Sequence, residues 1–305
     1  MAKKEGILLS DRPFSGLARK ISHLLGIKFL PAGIEFGRFG DCEMRVMVKA
    51  DVRGKDVFLL KSFVVRDCYN PNEAYLELFL ANDALKRAGA RRVIDVLPHM
   101  PYLRQDRVKF PGEPVSSKVF ADMTYLSGAD MVVTVDVHSE RNLSFYSAIQ
   151  APSTESLFAE HLKKGLDGGH IIIAPDTGAI PRAWALAKLL SSEVVVCRKE
   201  RDIRSSIVSM RCGSVQRGKT HAIIFDDIID SGSTLFKVVD HLKRRGVERF
   251  TACCTHAILS RGAESGLKRR GIDLITTDSI PLKRKGMEVL SLAETLASAM
   301  REARG

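Results

Sequence analysis

The chain has 305 residues, enough for two domains of about 150 residues, each able to bury its own core. Hydrophobic residues make up 45% and charged residues 27%, which excludes a disordered, collagenous or fibrous protein, and no run approaches the roughly 18 apolar residues of a membrane span. Forty-seven Lys and Arg against 36 Asp and Glu leave a net charge of +11, a surplus that favours polyanionic partners: nucleic acid, an acidic membrane or phosphorylated small molecules.

The opening MAKKEGILLSDRP has two lysines and then only a short apolar stretch, not the core of a secretory signal, so a cytoplasmic location is expected. Short β-branched runs then recur as strand candidates: DVFLLKSF (56–63), RRVIDVLP (91–98), DMVVTVDV (130–137), HIIIAPD (170–176), EVVVCRK (193–199), HAIIFDD (221–227), RFTACCTHAIL (249–259) and GIDLITTD (271–278). Between them apolar residues fall at helical spacing: Leu76, Phe79, Leu80, Ala84 and Leu85; Val119, Met123 and Leu126; Leu235, Val238, Val239 and Leu242. Strands apolar on both faces, alternating with helices, predict an α/β fold of two doubly wound parallel sheets. The Pro and Ser/Thr of APSTESLFAEHL mark a domain join, giving domains over 1–151 and 152–287. The amphipathic terminal stretch, 288–305, is expected to return to the first domain as a helix.

The six cysteines form no C-x-x-C pair and no Cys/His ligand spacing, which argues against zinc. Cys253 and Cys254 lie in an apolar run and read as small buried hydrophobes. Disulfides are not expected in a chain this long with thiols this sparse.

The chemistry is concentrated in HAIIFDDIIDSGSTLFKVVDHLKR. A buried strand (222–225) ends in Asp226 and Asp227; Asp230, Ser231, Gly232, Ser233 and Thr234 follow, then a helix. Such a turn presents backbone N–H groups and hydroxyls at a helix N-terminus, where the dipole favours an anion. Carboxylates beside it suit sugar hydroxyls or a bridging metal, so a phosphorylated sugar satisfies both parts. Each small or acidic residue alone has a structural explanation in tight packing or dipole complementation. The whole order resembles the phosphoribosyl-pyrophosphate loop of the type I phosphoribosyltransferase fold, which implies that these residues bind ribose hydroxyls and the 5-phosphate.

EFGRFGDCE (35–43) and PHMPYLRQDRVKFPGEPVSSK (98–118) resemble signature stretches of ribose-phosphate diphosphokinases, the phosphoribosyl pyrophosphate synthetases. The similarity continues through DVRGKDVFLL, NEAYLELFLANDALKRAGA, the DVH at 136–138, APDTGAIPRA (174–183), THAILSRGAE and TDSIPL, almost the whole chain in order. It implies transfer of a diphosphoryl group from ATP to ribose 5-phosphate with magnesium, and a homo-oligomer, dimer or hexamer. By that resemblance Lys199 and Arg201 are the catalytic cations, and Arg104, Gln105, Phe39, Asp41 and Glu43 form the ATP site, the last three supplied by a neighbouring subunit. His138 and Asp176 would meet magnesium on the ATP phosphates. A nitrogen is an unusual magnesium ligand, so His138 has a phosphate contact as its alternative role.

The chain departs from the family at Glu140 to Phe145, in a region often used for subunit contacts and effectors. It has Gly40 and Cys42 where Ser and Gly are common, and Ser231 and Ser233 where Thr and Gly are usual. Three other readings stand beside the enzyme: a non-catalytic associated subunit, a phosphoribosyltransferase, and a nucleic-acid binder suggested by charge. Intact Lys199, Arg201 and Asp176 oppose the first, and RFGDCE and LRQD have no use in the second. Scattered Lys and Arg with 7% aromatics oppose the third, so neither a nucleic-acid nor a membrane partner is expected.

Overall fold

The computed structural model describes residues 6–201, 208–216, 218–282 and 286–304, with backbone alone at 199–201 and 208–209. The chain divides into two compact units, Met1–Pro152 with Asp278–Lys283 and Ser291–Gly305, and Ser153–Thr277 with Arg284–Leu290.

The first unit runs β1 (Gly6–Ser10), α1 (Ser15–Leu25), β2 (Lys28–Phe29), β3 (Ile34–Arg38), β4 (Met44–Val48), β5 (Asp56–Leu60), β6 (Val64–Val65), β7 (Cys68–Tyr69), α2 (Pro71–Arg87), β8 (Arg92–Val96), α3 (Ser116–Leu126), β9 (Met131–Val133) and β10 (Ile149–Gln150). Its main sheet has the order β10-β9-β8-β5-β1-β2, parallel throughout. β1 sits inside that sheet with all five residues buried, although GILLS is too short to stand out in the sequence. β3 and β4 form a separate antiparallel hairpin, tied to α2 by the ion pair of Arg38 with Glu73.

The second unit runs α4 (Glu155–Leu162), β11 (His170–Ala174), α5 (Ile180–Leu190), β12 (Val194–Arg201), β13 (Val208–Cys212), β14 (His221–Ile229), α6 (Ser233–Lys243), β15 (Arg249–Ala257), α7 (Ala263–Arg270), β16 (Ile272–Thr277) and β17 (Glu288–Leu290). The order is β13-β12-β11-β14-β15-β16-β17, parallel except for the β12–β13 hairpin. Successive residues of β14 serve opposite faces. Ala222 and Ile224 join a core with α6 and α7, while Ile223 and Phe225 join one with α4 and α5. Such double-sided burial, worth about 1.5–3 kcal/mol per large side chain, is why these runs are apolar throughout. Leu235, Val238, Val239 and Leu242 form the buried stripe of α6, as their spacing predicts.

Helix α8 (Ala293–Ala303) returns to the first unit and packs on α1, with Leu296, Ala297 and Met300 buried. The helix expected from residue 288 therefore starts later, because Glu288–Leu290 pairs with β16 as an edge strand. Asp278 fixes the start, accepting the Leu292 N–H at 2.8 Å.

Two helix faces differ from the spacing-based reading. α2 buries Ala74, Tyr75, Leu78, Ala81 and Leu85 while Leu76 and Leu80 are exposed. α3 buries Ser117, Ala121 and Thr124 while Val119, Met123 and Leu126 are exposed, Leu126 at 86%. On α3 small side chains admit close approach to the sheet and the larger apolar ones are left outward; on α2 Leu85 is buried as expected, but the inward face is completed by Tyr75 and Leu78 with alanines rather than by Leu76 and Leu80. The expectation of no disulfide is also corrected. β12 and β13 pair antiparallel with Cys197 opposite Cys212, Cα atoms 4.0 Å apart, and the two are bonded. Strand register, not a short motif, brings them together. Cys253 and Cys254 are buried free thiols as expected, and burial pushes Cys254 up to about 12.

Candidate active site

In the second sheet the chain winds from β11 to β12 on one side and from β14 to β15 and β16 on the other. The boundary between β11 and β14 is thus a topological switch point, where loops leaving the carboxyl ends of the strands open a ligand crevice. Asp176 follows β11. Its Oδ1 accepts the N–H groups of Gly178 at 2.9 Å and Ala179 at 3.2 Å, which orients the carboxylate at the entry to α5.

β14 extends beyond the expected 222–225 and carries Asp226 and Asp227 within it. The Asp227 N–H donates to Asp226 Oδ1 at 2.9 Å, and Arg182 Nη1, on the first turn of α5, lies 3.7 Å from Asp227 Oδ1. Burial pushes the Asp226 carboxyl well above the ordinary range; the charge of Asp227 adds to this and Arg182 opposes it. Asp176 raises Asp226 as well, so these acids share one electrostatic neighbourhood.

Beyond β14, Asp230 and Ser231 lead to Gly232 at φ 72°, and Ser233 and Thr234 begin α6. A Cβ on Gly232 would lie 2.6 Å from the Phe236 ring, so this position has no room for a side chain. The turn leaves the first N–H groups of α6 facing outward with the positive end of the helix dipole, a site for an anion such as phosphate. The structure therefore brings Asp176, Asp226, Asp227 and Asp230 to one sheet end with the cradle beside them.

Lys199 and Arg201 fall on β12, with backbone register to Met210 and Val208. Their side chains lie outside the described residues.

In the first unit the strand order reverses between β1 and β5, and among the described residues a buried charge network lies at that point. Lys61, 1% exposed, fills it: its Nζ is 3.1 Å from Asp11 Oδ2 and 2.9 Å from Glu77 Oε2, and Ser62 Oγ donates to Asp11 at 2.6 Å.

The expected ATP residues lie at two other places. Phe39, Asp41 and Glu43 form the tip of the β3–β4 hairpin, closed by Phe39 N–H to the Glu43 carbonyl at 2.9 Å. Phe39 is 54% exposed, which excludes hairpin core as its role. Cys42 holds φ 75°, the left-handed region that explains why glycine suits this position. Arg104, exposed, and Gln105 lie on the loop after β8; Gln105 accepts from Ser116 through its side chain and from Ser117 Oγ through its carbonyl at 3.2 Å. His138 is half-buried beyond β9. The divergent segment forms a short 3-10 helix over Glu140–Phe145 that braces the Arg104 loop. Asn142 Nδ2 donates to the Leu103 carbonyl at 3.1 Å and Ser139 Oγ to Asp106 at 2.7 Å.

Sequence reasoning did not single out Arg182, Ser260, whose hydroxyl donates to Asp230, or Asn142. Arg182 stood within a motif-like stretch, but nothing in its spacing names Asp227 as its partner.

Residues 7–128 match the family model described as the N-terminal domain of ribose phosphate pyrophosphokinase, and residues 153–289 match the phosphoribosyl transferase domain. The ribose-phosphate pyrophosphokinase of Campylobacter jejuni is 34% identical over 93% of this chain and 91% of its own. That of Buchnera aphidicola is 36% identical over 96% of this chain and 94% of its own. The crystal structure of phosphoribosylpyrophosphate synthetase from Mycobacterium smegmatis superposes with a TM-score of 0.88, at 28% identity, covering 98% of this chain and 99% of that one. Both domains are matched in order and the relatives align along nearly their full length, so this chain belongs to the ribose-phosphate pyrophosphokinase family.

Proposed function

We infer that the protein is a ribose-phosphate diphosphokinase that moves the β,γ-diphosphoryl group of ATP to the C1 hydroxyl of ribose 5-phosphate, giving phosphoribosyl pyrophosphate and AMP. The observation that carries this reading is the acidic strand end joined to the phosphate cradle at the β11/β14 switch point. In it Asp226, Asp227 and Asp230 take ribose hydroxyls, while Ser231, Gly232, Ser233 and Thr234 take the 5-phosphate through N–H and hydroxyl donors. Phe39, Asp41, Glu43, Arg104 and Gln105 take ATP. Lys199 and Arg201 stabilise charge as the bond between the α,β-bridging oxygen and the β-phosphorus breaks and the sugar oxygen bonds to that phosphorus. In domain terms, the unit with the hairpin and the Arg104 loop serves the nucleotide, and the unit with the cradle serves the sugar.

Magnesium fits the donor set in a limited way. Among the described residues no cluster of three or more His, Cys, Asp or Glu is arranged to hold a metal. A small hard cation that keeps water and substrate phosphates as most of its ligands needs only one or two carboxylates. Asp176, its carboxylate already oriented by two N–H groups, suits that role; His138 suits a phosphate oxygen better. Bound there, the ion would neutralise phosphate charge.

Leu76, Leu80, Val119, Met123 and Leu126 leave an apolar surface on the first unit, and Phe39 stands exposed on its hairpin; both features support a homo-oligomer in which the hairpin serves a neighbour's ATP site. Among the described residues no helix is long and apolar enough to cross a membrane; ATP and ribose 5-phosphate as substrates support a cytoplasmic location. The test is the appearance of AMP and phosphoribosyl pyrophosphate from ATP, ribose 5-phosphate and Mg2+, with mass measured in the same buffer. No product at saturating substrates refutes the assignment.

A further inference from the structure

The turn after β15 makes specific contact with the sugar loop. Ser260 Oγ donates to Asp230 Oδ1 at 2.6 Å. The N–H groups of Ile258 and Leu259 both donate to the Ile229 carbonyl, at 3.0 and 3.1 Å, so the chain just before Ser260 is held at the residue just before Asp230. The Ala263 N–H returns to the Ser260 carbonyl at 3.1 Å.

Ser260 stands between two residues in unfavourable backbone conformations. Leu259 has φ 55° and Arg261 φ 53°, followed by Gly262 at 77°. Left-handed conformations cost L-residues about 1–2 kcal/mol each, and such strain persists where the surroundings over-determine it, typically around functional groups. Leu259 is buried in the core with α6 and α7, which holds the turn in place. The same two segments are locked a second time. The Phe236 ring lies so close to Gly232 of the sugar loop and Gly266 of α7 that a Cβ on either would come within 2.6 and 2.4 Å of it. Arg270 covers that ring at 4.6 Å and pairs with Asp240.

We propose that Ser260 is a positioning residue for ribose 5-phosphate: its hydroxyl holds Asp230 Oδ1 and fixes the carboxylate in the orientation that meets the sugar. This rests on the assignment of the loop to the sugar. Without Ser260 the carboxylate loses a short contact that orients it, and part of that ordering must be supplied at each binding event.

The test compares wild type with Ser260→Ala, Ser260→Thr, Asp230→Asn and the Ser260→Ala/Asp230→Asn double variant in steady-state kinetics with ATP and ribose 5-phosphate varied separately. Ser260→Ala should raise the KM for ribose 5-phosphate about tenfold, the scale of one hydrogen bond to a charged group, with the KM for ATP within about twofold. Ser260→Thr, which keeps the hydroxyl, should recover most of that loss. The double variant should be no worse than Asp230→Asn, because Ser260 acts through Asp230. If Asp230→Asn raises the ribose 5-phosphate KM and Ser260→Ala does not, the positioning role is wrong and the loop assignment stands. If Asp230→Asn itself leaves that KM unchanged, the loop assignment fails. An equal rise in both KM values for Ser260→Ala, unrescued by Thr, also overturns the proposal.

Discussion

Asp95 gives the first unit a stability that depends on pH near neutrality. It lies on β8, fully buried, and Asn82 of α2 donates Nδ2–H to its Oδ2 at 2.9 Å. Asp95 Oδ1 and Asn82 Oδ1 are both buried without a hydrogen-bond partner, so a proton on the carboxyl supplies the donor that two acceptors lack. Ser127 Oγ accepts from Asn82 at 3.2 Å, and the charge of Asp130, itself paired with Lys86, adds to the effect of burial. Burial is the main cause, and it pushes Asp95 from 3.8 to about 7. Between those values the folded protein holds a proton that the unfolded chain releases, so stability falls as pH rises through the window. At about 1.4 kcal/mol per unit, the loss between about pH 5 and 8 is roughly 2–3 kcal/mol, the last part being smaller once the folded group also ionises. Asp95→Asn removes the titration and keeps a donor and an acceptor for Asn82. Urea unfolding of wild type and variant at pH 5, 6.5 and 8 should show the variant gaining on wild type by that amount as pH rises. A difference that stays constant with pH would refute the reasoning.

Other expectations follow from single positions. Lys199→Ala should lower kcat by about 100-fold or more while the KM for ATP stays within about threefold, since a cation at the transferring phosphate acts mainly in the transition state; equal loss in nucleotide binding measured by calorimetry would count against it. Cys42→Gly relieves φ 75° at an exposed hairpin position and should stabilise the protein by about 1 kcal/mol without altering turnover, read from thermal unfolding; no gain would show that the turn carries no strain. The Cys197–Cys212 bond closes a loop of 15 residues, so dithiothreitol should destabilise wild type by about 3 kcal/mol and leave Cys212→Ser insensitive. A wild type indifferent to reductant would refute this bond's contribution.

The α/β class, the eight strand candidates and the stripe of α6 were all legible, because alternation and apolar periodicity are local properties of the chain. The buried faces of α2 and α3 were not. On α3 serine, alanine and threonine carry little hydropathy yet fit closest to the sheet, so counting large apolar residues picked the outward side; on α2 large apolar residues lie on both faces, and spacing alone did not choose Tyr75 and Leu78 over Leu76 and Leu80. β1 was missed because a run of five residues does not announce a strand until neighbours on both sides bury it. The turn at 226–234 was legible as chemistry because its acids, glycine and hydroxyls are contiguous. Its supports were not contiguous: Arg182 meets Asp227 and Ser260 meets Asp230 only because β11, β14 and β15 lie side by side.

By itself the sequence determined two apolar α/β halves and an acidic, hydroxyl-rich strand-to-helix turn, and through its motifs the family, since each of these is written in residues adjacent along the chain. Tertiary structure alone decided that the first unit's switch point is filled by Lys61, Asp11 and Glu77 while the second's stays lined with acids, and which cysteines meet. Those outcomes depend on strand order and register, and a side chain's partner across a sheet is set by packing energies summed over the whole domain rather than by its neighbours in sequence.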